Sequence, residues 1–299
     1  MAPASSTVLT GGSRLIDIGN GYNVWTKHVG PATGPQVLTL HGGPGLTHFY
    51  LECFEDFLPQ AGIGYWYYDQ LGCGFSDQPA DTSLWTIERF TDEVDQVRRA
   101  LGQERLILFG HSWGGMLAIE YALKYPQHVR GLVISNMTAS MDSYLEQLNR
   151  LRRQLPEAQQ RALEEFEAKG DYKSAAYQEL MWGVLYHKHL CRLDPWPEPL
   201  QRSIKHLAEP VYNTMQGVDE FHVNGNMKPW DRWQDLERIT APTLVIGARH
   251  DTMSTDDIVR MGKLIPKGRS VICENGSHTA MYDEQAFYFS KLVPFLKSI

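Results

Sequence analysis

Leu106-Ile107-Leu108-Phe109-Gly110-His111-Ser112-Trp113-Gly114-Gly115-Met116-Leu117-Ala118-Ile119 is the stretch from which the rest of the chain can be read. Its first four residues are apolar without alternation, as in a strand buried on both faces. From Met116 the pattern is helical. The chain must therefore reverse within a few residues. Gly110 and Gly114 keep side chains out of that crowded turn, which leaves the Ser112 hydroxyl at the strand's C-terminal edge. A glycine-rich turn with an incidental serine is the competing reading, because Gly-x-Ser-x-Gly alone is a weak pattern. The strand–turn–helix setting makes Ser112 a candidate nucleophile.

Outward from this point the same rhythm recurs. Val37 to Leu40, Tyr65 to Tyr68, Leu132 to Ile134 and Thr243 to Ile246 are short β-rich runs, with Val271 to Cys273 a weaker late member. Helical patterns such as Ile87 to Leu101 and Met116 to Lys124 separate them. Alternation of this kind predicts an α/β fold, a mostly parallel sheet with helices on both faces. The run from Met137 to Lys228 breaks the rhythm, lacks convincing strands and reads as several helices. Leu145, Leu148, Leu151 and Leu155 mark one apolar stripe within it. Residues 1–136 and 229–299 are thus expected to form the core, and 137–228 an inserted helical cap.

The composition bounds the function. The chain has 299 residues, 42% hydrophobic and 21% charged, with a formal net charge of −7. That balance argues against nucleic acid as a partner, since a phosphate-binding surface needs clustered Lys and Arg. Residues 1–13 show neither a basic start nor an apolar core, so no signal peptide is expected. No apolar run approaches the ~20 residues that span a bilayer, so no membrane partner is expected. Cys53, Cys73, Cys191 and Cys273 are far apart, without zinc or disulfide-scaffold spacing, and read as free thiols in the cytoplasm. His187 and His189 lack neighbouring acids or thiols at ligand spacing, so neither metal nor other cofactor is expected.

A serine hydroxyl needs a base to become nucleophilic. His278, in Glu274-Asn275-Gly276-Ser277-His278 after the late strand, stands where loops at strand C-termini approach the nucleophile. The base needs an acid to hold its tautomer and stabilise the imidazolium. Asp251, just past Thr243 to Ile246, fits; Asp256 and Asp257 compete but suit the first turn of the next helix. The order Ser112, Asp251, His278 is that of serine hydrolases with this strand–turn–helix nucleophile. His41-Gly42-Gly43-Pro44-Gly45 follows another strand, and the N–H groups of Gly43 and Trp113 are the expected oxyanion donors.

Taken together, His41-Gly42-Gly43-Pro44-Gly45, Tyr68-Asp69-Gln70-Leu71-Gly72-Cys73-Gly74-Phe75-Ser76 and Gly110-His111-Ser112-Trp113-Gly114-Gly115 resemble the proline iminopeptidase group of α/β-hydrolases, from about Gly21 onward. The resemblance implies an α/β-hydrolase fold with a helical cap, release of N-terminal residues, often proline, from short peptides, and cleavage of amino-acid amides by related members. It implies a structural role for Asp69 and Gln70. Asp219-Glu220-Phe221 resembles the segment whose glutamate binds the substrate α-amine, which makes Glu220 the expected amine anchor. One position departs: where relatives often carry a second glutamate after the catalytic aspartate, this chain has Thr252, and Glu179 is a candidate replacement.

The expected function is therefore a serine hydrolase acting through an acyl-enzyme on short peptides or amino-acid amides with a free amino end. An esterase or other acyl hydrolase on small non-peptide substrates is the alternative. Epoxide hydrolysis and dehalogenation resemble enzymes with aspartate at position 112. Trp182, Tyr186, Trp196, Tyr212 and Phe221 are cap aromatics available to line a pocket. The oligomeric state is left open.

Overall fold

In the computed structural model, which describes residues 10–299, the strands are β1 (Ser13–Asp17), β2 (Asn23–Val29), β3 (Gln36–Leu40), β4 (Gly64–Asp69), β5 (Leu106–His111), β6 (Val129–Ser135), β7 (Gly217–Asp219), β8 (His222–Val223), β9 (Thr243–Ala248) and β10 (Gly268–Cys273). Eight of them form one sheet in the order β1-β2-β4-β3-β5-β6-β9-β10. From β4 to β10 every neighbour is parallel, whereas β1–β2 and β2–β4 are antiparallel. The edge pair β1–β2 carries polar residues at alternate or exposed positions, so it escapes a reading based on continuous apolar runs. The part of the signal-peptide reading that concerns residues 1–9 lies outside the described residues.

The central strands are buried on both faces and feed two separate cores. On β5, Leu106 and Leu108 point into one core and Ile107 and Phe109 into the other; on β6, Leu132 and Ile134 oppose Val133 in the same way. The first core packs against helices α1 (Ile87–Ala100) and α2 (Trp113–Lys124), through residues such as Phe90, Val94 and Leu117. Period-2 alternation thus persists in direction while both faces stay apolar, because each face meets a helical layer. Thr86 caps α1 by accepting from Arg89 N, and Arg98 and Arg99 close its C-terminal turn, where cations complement the dipole.

Between β6 and β9 the chain forms α3 (Met141–Arg152), α4 (Glu157–Ala168), α5 (Ala175–Leu180), a π-helical turn (Met181–Tyr186), α6 (His187–His189), α7 (Glu198–Lys205) and α8 (Glu209–Met215). It leaves and returns through one neck: Met141 N donates to Trp230 O at 2.9 Å and Arg232 N to Ala139 O at 2.8 Å. The expectation that this segment is helical throughout is corrected in one place. β7 and β8 form an antiparallel hairpin, too short to carry a sequence period, with Glu220 in its connecting turn. The C-terminal part adds α9 (Thr255–Leu264), α10 (Ala280–Asp283) and α11 (Gln285–Lys297); α11 packs on the second face through Phe289, Leu292 and Phe295. Among the described residues no helix is long and apolar enough to cross a membrane.

Candidate active site

Ser112 sits between β5 and α2 with φ +56° and ψ −127°, a backbone conformation uncommon for a side-chain-bearing residue. The turn is held by Ser112 N donating to Ser135 O at 2.9 Å and by Gly115 N donating to Ser112 O at 2.7 Å. A Cβ at Gly110 would collide with the Gly114 carbonyl, and one at Gly114 with the Leu40 carbonyl. The two glycines flanking the serine are therefore required by close backbone approach.

The loop after β3 lies directly against this turn. A Cβ on Gly42 would come 3.0 Å from Ser112 Cβ, and Gly43 has φ +114°. Gln70 joins the two loops: its Nε2 donates to His41 O at 3.0 Å, its backbone N–H donates to His41 Nε2 at 3.1 Å, and its Oε1 accepts from Trp113 Nε1 at 2.8 Å. Burial pulls His41 down to about 4, so its Nε2 stays free to accept. Asp69 fixes the neighbouring segment by accepting from His48 N and Phe75 N. Gly43, Ser112 and Trp113 border one small cleft together with Glu220.

His278 and Asp251 meet at 2.7 Å, Nδ1 to Oδ1, and both are buried. Burial lowers His278, but the charge and hydrogen bond of Asp251, with the charges of Glu220 and Asp283, together outweigh it and leave the imidazole above its ordinary value. For Asp251 burial pushes upward, yet His278, Asn136 Nδ2 at 2.7 Å and the Met253 N–H together hold the carboxyl below the usual carboxylate range. Thr252 Oγ1 also donates to Asp251 Oδ1 at 3.2 Å, so the residue in the departing position braces the acid. Asp256 and Asp257 lie in the first turn of α9, where Asp257 accepts from Thr138 Oγ1 and neither touches His278.

Opposite the Gly43 loop stands the insertion. Ser112, His278 and Glu220 all border a cavity of ≈ 250 Å³. Glu220 takes a hydrogen bond from Tyr144 OH, and burial raises its carboxyl above the ordinary value. Its neighbour Asp219 is committed elsewhere: it accepts from Tyr177 OH at 2.6 Å, from Phe221 N at 2.8 Å and from His222 Nδ1 at 2.8 Å. Burial opposes the charge on His222, but Asp219 and Glu167 raise it to about 9. Glu220 is therefore the wall carboxyl that forms no ion pair among the described residues, with the His278 charge and the Tyr144 hydrogen bond favouring its ionised form against burial. Glu179 is exposed and does not border the cavity, which corrects the suggestion that it replaces the glutamate absent at Thr252. Trp182, Tyr186, Trp196 and Tyr212 do line it, whereas Phe221 is buried behind Tyr186.

Asn136, Tyr50, His111 and Tyr144 were not singled out from the sequence. Asn136 has a positive φ at the end of β6 beside the elbow; its place after a buried strand was the available signal. His111 belongs to the quoted motif itself. Tyr50 and Tyr144 carry no local pattern that distinguishes them from core aromatics. The four cysteines are unbridged and buried, and burial pushes the Cys73 thiol up, away from nucleophilic use.

Residues 35–285 match the family model described as alpha/beta hydrolase fold. A proline iminopeptidase of Flavobacterium johnsoniae is 44% identical over 281 residues, covering 93% of this chain and 95% of that protein. The crystal structure of VinJ superposes with a TM-score of 0.91 at 34% identity, covering 96% of this chain and 98% of the other. The crystal structure of the Mycobacterium smegmatis proline iminopeptidase gives 0.88 at 33% identity, with the same coverage of both chains.

Proposed function

Since this chain belongs to the proline iminopeptidase family of α/β-hydrolases, we propose that it is a serine hydrolase that releases a single amino-terminal residue, proline foremost, from short peptides or amino-acid amides. The substrate ammonium binds Glu220, which sets the first carbonyl carbon over Ser112. His278 Nε2 takes the Ser112 proton as Oγ attacks, and Asp251 stabilises the imidazolium. The developing oxyanion takes hydrogen bonds from the N–H groups of Gly43 and Trp113, where one such donor is worth about 3–4 kcal/mol of barrier. The C–N bond breaks, His278 passes its proton to the departing amine, and water then hydrolyses the Ser112 ester by the same steps in reverse roles.

The observation that carries this reading is Glu220, a buried carboxyl on the wall of the Ser112 cavity that no Lys or Arg among the described residues pairs with. A desolvated ammonium needs such a partner. Residues 137–228 act in this reading as a cap that excludes water and measures the substrate. The unbridged cysteines fit a reducing compartment, and we take the cytoplasm as its location.

A panel of proline, alanine and leucine amides and anilides, each with free and acetylated amino groups, tests the proposal. The free-amine substrates should be cleaved and the acetylated ones should not. Turnover of simple esters with none of any aminoacyl compound would point to an esterase instead.

A further inference from the structure

The two clefts at Ser112 differ in which catalytic group they share. Trp113 borders only the small one and His278 only the large one, while Gly43, Ser112 and Glu220 border both. In amide hydrolysis the base must deliver its proton to the departing nitrogen. The leaving group therefore occupies the side bordered by His278, which is the ≈ 250 Å³ cavity. The smaller cleft, of ≈ 10 Å³, is too small for a prolyl ring, so the released residue lies toward Glu220 and the leaving group toward His278.

The walls of that larger cavity are chemically one-sided. Leu200, Ile204, Leu207, Val218, Trp182 and Trp196 are among its apolar lining, and among the described residues no Lys or Arg lines it. Trp182 and Val218 are also exposed, so the apolar surface continues to the mouth. The acids on the wall are Asp219, already neutralised by His222, and Glu220. In a dipeptide the terminal carboxylate sits on the residue that carries the scissile nitrogen, separated from it only by Cα. It would be drawn into this cavity with no Lys or Arg among the described lining residues to meet it. Burying an unpaired charge is strongly unfavourable.

We propose, resting on the aminopeptidase reading above, that the leaving-group site is built for neutral, apolar amines and discriminates against substrates with a carboxylate next to the scissile bond. The substrate class is then amino-acid amides of bulky apolar amines, together with peptides long or capped enough to keep their carboxylate in solvent. Free dipeptides are disfavoured.

The test measures kcat/KM of the full chain for Pro-Leu, Pro-Leu-amide and proline β-naphthylamide. Pro-Leu-amide should exceed Pro-Leu by at least 10-fold, and the naphthylamide should equal or exceed both. Val218→Lys, at an exposed wall position, should shrink the amide-to-acid ratio by 5-fold or more, with a cooperative thermal unfolding transition reporting that the variant folds. Equal rates for Pro-Leu and Pro-Leu-amide in the parent enzyme overturn the proposal. So does a ratio untouched by the added lysine. If none of the three is cleaved, the aminopeptidase reading itself fails and the preference falls with it.

Discussion

His111 Nε2 lies 2.7 Å from the carbonyl oxygen of His278, tying the residue before the proposed nucleophile to the backbone of the proposed base. Burial pulls His111 down to about 3, so the ring is neutral. Its Nε2–H must donate to that carbonyl, which leaves Nδ1 to accept from Tyr50 OH at 3.0 Å. Tyr50 in turn accepts from Gly42 N at 2.7 Å. A single directional chain thus runs from the Gly43 loop through the elbow to His278.

Tyr50→Phe should break this chain by orphaning the Gly42 N–H and His111 Nδ1. Each unsatisfied buried group costs about 1–3 kcal/mol. Thermal unfolding should shift down, and kcat should fall by roughly an order of magnitude with KM little changed. A variant with parental kcat on proline β-naphthylamide would show that Tyr50 does not position the site.

The base must be neutral to accept the Ser112 proton. Because His278 is raised above its ordinary value, the acid limb of kcat/KM should lie above the usual histidine range near 6.5. Asp251→Asn removes the charge that raises it, so burial then dominates and the limb should move to lower pH. The rate should drop on the order of 10⁴-fold, as in other triads losing their acid. A pH profile of both proteins checks the sign; an upward move contradicts it.

Glu220→Gln preserves shape and the acceptor for Tyr144 but removes the charge. Loss of one partner of a buried charge pair typically costs about 2–5 kcal/mol, or roughly 30-fold or more in kcat/KM. The loss should appear for free-amine substrates and be absent from any residual hydrolysis of N-acetylated ones. An equal loss on both classes would mean that Glu220 shapes the cavity instead of reading the amine.

His222 ties Asp219 to Glu167, with ion-pair contacts of 2.8 and 3.0 Å. Its folded value is raised to about 9 against an ordinary 6.5, so its stabilisation is complete below pH 6.5 and is lost as pH rises through 9. The difference in unfolding temperature between the parent protein and His222→Gln should be largest near pH 6 and narrow by pH 10. A constant difference would mean that the ion pairs contribute nothing measurable.

The elbow, the buried strands and the order Ser112, Asp251, His278 were legible in the chain because each is a local pattern. An all-apolar strand, crowding glycines and a polar residue at a strand end leave short-range marks that topology rules then bring to one edge. The β1–β2 pair and the β7–β8 hairpin left none, being half-exposed or only two to three residues long. Asn136 and Tyr50 were silent for another reason: their partners, Asp251 and His111, are 115 and 61 residues away.

By itself the sequence marked the parallel strands of the sheet and the candidate nucleophile, base and acid, because backbone sterics and hydrophobic periodicity act over a few residues. Only the tertiary structure supplied the physical difference between Glu220, to which the resemblance pointed, and Asp219. Neighbours in the chain, they differ because His222 and Tyr177 neutralise and hold one while the other lines the cavity that Ser112 also borders. Charge compensation depends on what the fold places within a few ångströms, and that distance is not written in the order of the residues.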